Sequence, residues 1–197
     1  SSDAAATLVA LNRLWELDLP RHHLMELGAA LGCDIPAMIH GGAVLMEGKG
    51  ERVTPVFPGP PVPRPRFCVV LANPRVAVST AEVYGNFKGV LTPRPDSYNI
   101  VVSAIRRGNV VDAAAGLHND LEPGVYARYP RIGRLAESMR AAGACGVLLS
   151  GSGATVLGLV RDDEHGESVR DKLPSDCWSL VTRTLPDGVM AAHGPLE

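Results

Sequence analysis

Six prolines stand between Pro55 and Pro65 in this 197-residue chain. Proline lacks a backbone N–H and fixes φ, so such a stretch joins neither a central strand nor a helix interior. It reads as an extended connector and predicts two domains, residues 1–64 and 65–197. On the N-terminal side, residues 2–16 have helical spacing, with Leu8, Leu11 and Trp15 on one face. A second helix is expected over residues 20–31, with Leu24, Leu27 and Leu31 aligned and Gly32 at its stop. Residues 43–47 and 51–56 read as the strands of a hairpin around Gly48-Lys49-Gly50.

Beyond the connector, residues 66–72 form a buried-strand pattern, and Ser79-Thr80-Ala81-Glu82 fits a capping box. Helices are expected over residues 97–107, 109–115 and 130–142, the last stopped by Gly143. Two strands, residues 145–149 and 154–160, flank a glycine loop; a helix over 162–173 and a strand over 177–184 follow. This alternation predicts a compact α+β layer.

Hydrophobic residues make up 46% of the chain, enough for a real core. The formal net charge of −2 supplies no basic field, so nucleic acid is not an expected partner. No apolar run is long enough to cross a membrane, and no basic-then-apolar leader opens the sequence, so the expected location is cytoplasmic. The four cysteines lie far apart without a C-x-x-C, which argues against zinc and for buried free thiols.

Three stretches carry chemistry. Ser1-Ser2-Asp3 stands at the mouth of the first helix, where unpaired N–H groups and small residues suit a phosphate; taken alone, Ser2 reads first as the cap of an ordinary helix. Asp34, in Leu31-Gly32-Cys33-Asp34-Ile35-Pro36, lies on a constrained turn. Its carboxylate there is either a proton acceptor or an N-cap. Ser150-Gly151-Ser152-Gly153 joins two apolar strands, either as an anion-approaching loop or as a tight turn with no ligand.

In their order and context, these stretches resemble the GHMP kinases. S-S-D-A-A-A-T-L-V-A-L-N-R-L-W looks like the second half of that family's ATP-binding motif, and L-G-C-D-I-P matches its L-G-A-D-V-P segment. G-G-A-V-L-M-E-G-K-G-E-R-V-T-P-V resembles the hairpin that follows, while N-D-L-E-P and L-L-S-G-S-G-A-T-V-L-G-L-V look like C-terminal motifs. The resemblance covers nearly the whole chain. It implies a two-domain α+β fold: the remainder of a ribosomal-protein-S5-like N-terminal domain, then a ferredoxin-like C-terminal domain.

The resemblance further implies transfer of the γ-phosphoryl group of ATP, with Mg²⁺, to a cytidyl-diphosphate sugar alcohol. On the matching positions, Asp34 is the catalytic base. Ser1, Ser2 and Asp3 face the phosphates, with Ser1 or Ser2 offering a hydroxyl to Mg²⁺. Thr80, more than the capping Ser79, contacts the substrate. Ser150, Gly151, Ser152 and Gly153 shape the cleft. The glycines that usually precede the two serines do not appear, and Lys49, Lys88 and Lys172 match none of the family's motifs. An upstream segment of the same protein, within this chain's parent or as a separate chain, is therefore an expected partner. Two other readings stand beside this one. The first is a GHMP kinase of homoserine or mevalonate type, and the second a non-catalytic binding protein on the same scaffold.

Overall fold

The structure, a computed structural model, describes residues 1–58, 64–87, 89 and 95–185, with the backbone alone for residues 95–97. The middle of the proline connector and Lys88 lie outside the described residues. Two compact units emerge, one built on Ser1–Arg64 and the other on Pro65–Thr184.

The first unit holds α1 (Ser2–Leu14), α2 (Arg21–Leu31), α3 (Ile35–His40) and a hairpin of β1 (Val44–Glu47) and β2 (Arg52–Pro55). The hairpin is antiparallel, with Glu47 opposite Arg52. Its turn uses positive φ at Gly48 and Gly50, a region that glycine enters without steric cost. Asn12 ties α1 to the start of α2, because its side chain both donates to the Leu19 carbonyl and accepts from the Leu19 amide.

The buried faces of α1 and α2 differ from the leucine stripes expected. Ala5, Val9, Leu24, Ile35 and Ile39 form the core, whereas Trp15, Leu27 and Leu31 are exposed. The reason lies in how closely the helices approach. A Cβ on Gly28 would meet Ile35 Cγ2 at 2.7 Å, so α2 and α3 meet at a position where no side chain fits. Small residues mark the close contact, and spacing of leucines alone does not reveal it. The constrained turn expected at Asp34 is also more than a turn, since α3 starts directly after it.

The second unit is an antiparallel sheet of β3 (Cys68–Asn73), β4 (Gly146–Leu149), β5 (Val156–Val160) and β6 (Trp178–Arg183), in the order β4-β5-β3-β6. Between β3 and β4 come α4 (Thr80–Gly85), α5 (Pro95–Arg107), α6 (Val110–Ala115), α7 (Glu122–Arg128) and α8 (Pro130–Ala141). A hairpin loop joins β4 to β5, and α9 (Asp163–Arg170) joins β5 to β6. This is the β-α-β-β-α-β succession of ferredoxin-like sheets, enlarged by extra helices.

Helices pack on both faces of the sheet, with Trp178 and Leu180 of β6 left exposed. Val70, Ala72, Leu149 and Val156 pack with Ile132, Leu135 and Met139 of α8 and Val169 of α9. On the opposite face, Val69 and Leu159 pack with Ala104, Ala113 and Ala114 of α5 and α6. Period-two alternation along β3 explains this division, and each fully buried side chain of this size contributes roughly 1.5–3 kcal/mol. Local signals fix the helix ends: the Asn109 side chain accepts from Val111 and Asp112, and Gly143 takes the positive φ that follows α8.

The cysteines are free, yet only Cys68 is buried; Cys33 is exposed, contrary to the expectation of four buried thiols. Cys68 Sγ donates to Asp163 Oδ1 at 3.2 Å. Burial, then the Asp163 carboxylate, pushes this thiol up to about 11. Arg183 holds the same carboxylate through two N–H donors and keeps its pKa below the ordinary range.

Candidate functional site

In the first unit, α1 begins directly after Ser1. Ser1 is its N-cap without a side-chain capping bond, and the helical ladder begins with the Ala5 amide donating to the Ser1 carbonyl. The amides of Ser2, Asp3 and Ala4 therefore lack intrahelical acceptors, as the first turn of any helix does. Ser1, Ser2 and Asp3 are exposed. Thirteen residues of aligned peptide dipoles stand behind them.

Ser2 Oγ lies 3.7 Å from Met38 Sδ, and the Met38 amide donates to the Asp34 carbonyl at 3.1 Å. The mouth of α1 thus packs beside α3, whose N-cap is Asp34. The Asp34 carboxylate makes no capping bond and is exposed. Among the described residues nothing donates to it. Its lone pairs are open, as a proton acceptor requires. The backbone beneath is fixed: a Cβ on Gly50 would collide with the Cys33 carbonyl, so the hairpin turn seats directly against the residue before Asp34.

The second unit brings together residues that lie far apart in sequence. Ser79 Oγ accepts from the Glu82 amide at 3.3 Å and caps α4. The Thr80 hydroxyl, left free by that arrangement, lies 2.9 Å from the Ser152 hydroxyl of the β4–β5 loop. The loop itself is closed by Ser150 N–H to the Thr155 carbonyl and Gly153 N–H to the Ser150 carbonyl, both at 2.9 Å. Gly151 and Gly153 hold positive φ. Two of its amides are thus spent inside the turn, and its hydroxyls are the exposed chemistry.

Four further residues hold this arrangement, and no role was expected for them. Asn119 Nδ2 donates to the carbonyls of Leu149 and Gly151 at 2.9 and 2.8 Å. Glu122 Oε1 accepts from the Leu149 amide at 2.8 Å. Arg128 donates twice to Glu82 Oε1, and the Tyr129 hydroxyl donates to Glu82 Oε2 at 3.4 Å. The N-D-L-E-P motif marked the segment, but spans of about 30 residues between donor and acceptor leave no local signal. Between α4 and α7 lies a half-open cavity of about 550 Å³ with Val83, Phe87, Leu121 and Val125 on its walls. Near Glu122, the Tyr126 hydroxyl is buried and has no hydrogen-bond partner among the described residues. Burial and the Glu122 carboxylate push its pKa up to about 12.

No three His, Cys, Asp or Glu side chains cluster as metal ligands among the described residues. No helix among them is long and apolar enough to cross a membrane.

The ferredoxin-like second unit and the order of these segments agree with the family matches that follow. Residues 1–42 match the description "GHMP kinases N terminal domain" and residues 101–179 match "GHMP kinases C terminal". The two matches together take in more than half of the chain, and the chain belongs to the GHMP kinase family. It is 43% identical over 186 residues to 4-diphosphocytidyl-2-C-methyl-D-erythritol kinase of Pelotomaculum thermopropionicum, covering 94% of this chain and 63% of the relative. A solved 4-(cytidine 5'-diphospho)-2C-methyl-D-erythritol kinase superposes with a TM-score of 0.65 at 27% identity, over 93% of this chain and 64% of that one. Mevalonate kinase of L. major gives a TM-score of 0.67 at 15% identity, over 95% of this chain and 66% of that one. The last likeness concerns the fold alone. The chain spans about three-fifths of the length of the curated relatives it matches.

Proposed function

We propose that this chain is the larger part of an ATP-dependent kinase acting on 4-diphosphocytidyl-2-C-methyl-D-erythritol in non-mevalonate isoprenoid biosynthesis. The observation that carries the reading is the placement of the α1 N-terminus beside α3, whose N-cap Asp34 makes no capping bond and is exposed. One group suits phosphate, and the other suits the proton of an attacking alcohol. Relatives about 40% identical bear the name of this kinase.

In this reading, the α1 amides and the Ser1 and Ser2 hydroxyls receive the ATP phosphates. Ser1 or Ser2 would offer a hydroxyl to Mg²⁺, which when bound would supply neutralisation of charge on those phosphates. Asp34 accepts the proton of the substrate's 2-hydroxyl as that oxygen attacks the γ-phosphorus, and the γ-phosphoryl group leaves ADP. Such transfer depends mainly on positioning and charge stabilisation. Thr80, with Ser79 as its cap, serves as a substrate contact.

Coupled ADP detection with a panel of alcohols tests the proposal, using the complete native protein that carries this chain. Turnover with the cytidyl-diphosphate substrate is expected. Turnover with homoserine or mevalonate alone sinks the substrate assignment. Silence with every alcohol sinks the enzyme reading.

A further inference from the structure

The structure assigns the segment from Asn119 to Tyr129 as the positioning element for the Thr80–Ser152 hydroxyl pair. This assignment deepens the kinase reading and rests on it for its effect on substrate.

Both hydroxyls are tied back to this one segment. On the Ser152 side, the Asn119 amide bridges the carbonyls of Leu149 and Gly151, which bracket Ser150. Glu122, three residues on, takes the Leu149 amide. The end of β4 and the start of the loop are therefore held by three hydrogen bonds from a single short stretch. On the Thr80 side, Glu82 sits two residues along α4 and is held by Arg128 and Tyr129 at the other end of α7. A capping-box glutamate ordinarily turns back to its own N-cap; here Glu82 reaches across to α7 instead. The segment thus spans the distance between the two hydroxyls and sets it.

Asn119 also accepts from the Leu121 amide at 2.9 Å through Oδ1. That bond is an ordinary Asx turn, for which aspartate serves as well as asparagine. The two donations to the loop are different. Aspartate cannot make them, and its charge would face two carbonyl oxygens. Asn119→Asp consequently separates a loop-positioning role from a role confined to the turn. The Arg128–Glu82 pair is largely exposed, with side-chain exposures of 67% and 38%, so its share is the smaller one.

Hydrogen exchange and steady-state kinetics, both on the complete protein that carries this chain, provide the test. In Asn119→Asp, the amides of Leu149, Ser150 and Gly153 should exchange about tenfold faster or more, with β3 and α8 unchanged. KM for the alcohol should rise about 10- to 100-fold while KM for ATP stays within about twofold. Glu122→Gln keeps an acceptor for the Leu149 amide and should leave loop exchange as in the wild type, whereas Glu122→Ala should raise it. Wild-type loop exchange in Asn119→Asp overturns the assignment. If that variant loses its global fold, the Glu122 pair decides, and equal loop exchange in Gln and Ala overturns the assignment. Loop exchange that rises without any change in the alcohol's KM overturns its functional part. If the wild type turns over no alcohol, the kinase reading fails, and exchange alone then judges the clamp.

Discussion

The two units treat their candidate groups in opposite ways. In the second, Thr80 and Ser152 touch each other, and their supporting loop and helix are laced to the Asn119–Tyr129 segment. In the first, the side chains of Ser1 and Asp34 make no capping bonds and Ser2 reaches only the Met38 sulfur, although the backbone beneath Asp34 is fixed. The cores differ in the same sense. The second unit packs helices on both faces of its sheet, with Trp178 and Leu180 of β6 left exposed, whereas the first gathers Ala5, Val9, Leu24, Ile35 and Ile39 into one cluster and leaves Leu14, Trp15, Leu17, Leu27, Leu31 and Met38 exposed. The difference teaches that two kinds of work need two kinds of order. A proton acceptor must keep its lone pairs open, while a positioning hydroxyl must have its place decided in advance.

The largest expected effect follows from the open carboxylate. Asp34→Asn should lower kcat about 10²- to 10⁴-fold, the range typical of a lost general base. It should leave stability within about 0.5 kcal/mol, because nothing among the described residues is bonded to the side chain. Parallel kinetics and thermal melts check both halves. A large drop in Tm would show that Asp34 is a structural cap, and the contrast between the units would weaken.

Next comes the packed unit. Ile132 is fully buried between α8 and the sheet, and Ile132→Ala should cost about 2–5 kcal/mol of unfolding free energy in urea titration. In the first unit, Gly50→Ala meets both a positive φ of 98° and the Cys33 carbonyl. A loss of roughly 1–3 kcal/mol is expected, accompanied by lower activity as the turn backs away from Asp34. An unchanged kcat in Gly50→Ala would show that the hairpin does not support Asp34.

A pH profile separates the units by a different route. The folded pKa of Cys68, about 11, stands above its ordinary value of 9.0. The native state therefore favours the neutral thiol. This contribution is intact below pH 9 and drains away between 9 and 11, on the order of 2 kcal/mol in all. Urea midpoints between pH 8 and pH 11 should fall less steeply in Cys68→Ala than in the wild type. The smallest effect belongs to the exposed face of α2. Leu31 is 66% exposed, so Leu31→Ser in this chain should change stability by less than about 0.5 kcal/mol. A larger loss would mean that the face is already covered.

Local chemistry was legible in the sequence. Ser79 and Gly143 announced their helix ends, Gly48-Lys49-Gly50 its turn, and apolar runs the strands of the sheet. The strips around Leu11 and Leu27 misled because close approach at Gly28, and not leucine spacing, decides which way α2 faces. Six-residue α3 escaped notice because it is too short for a periodic pattern. Among the site residues, Asp34 and Thr80 were named from motifs. The Thr80–Ser152 contact spans 72 residues and the Asn119–Gly151 bond 32. Only the folded chain brings such partners together.

Exposed Cys33 immediately precedes Asp34, and this adjacency offers a handle for spectroscopy. Alkylating reagents attack thiolates that they can reach. Cys68 is shielded and held protonated to about pH 11, and burial also raises the pKa of half-buried Cys177. A maleimide fluorophore at neutral pH should therefore settle first on Cys33. From there it would sense a nucleotide or an alcohol arriving beside Asp34, and binding could be followed by emission without any turnover.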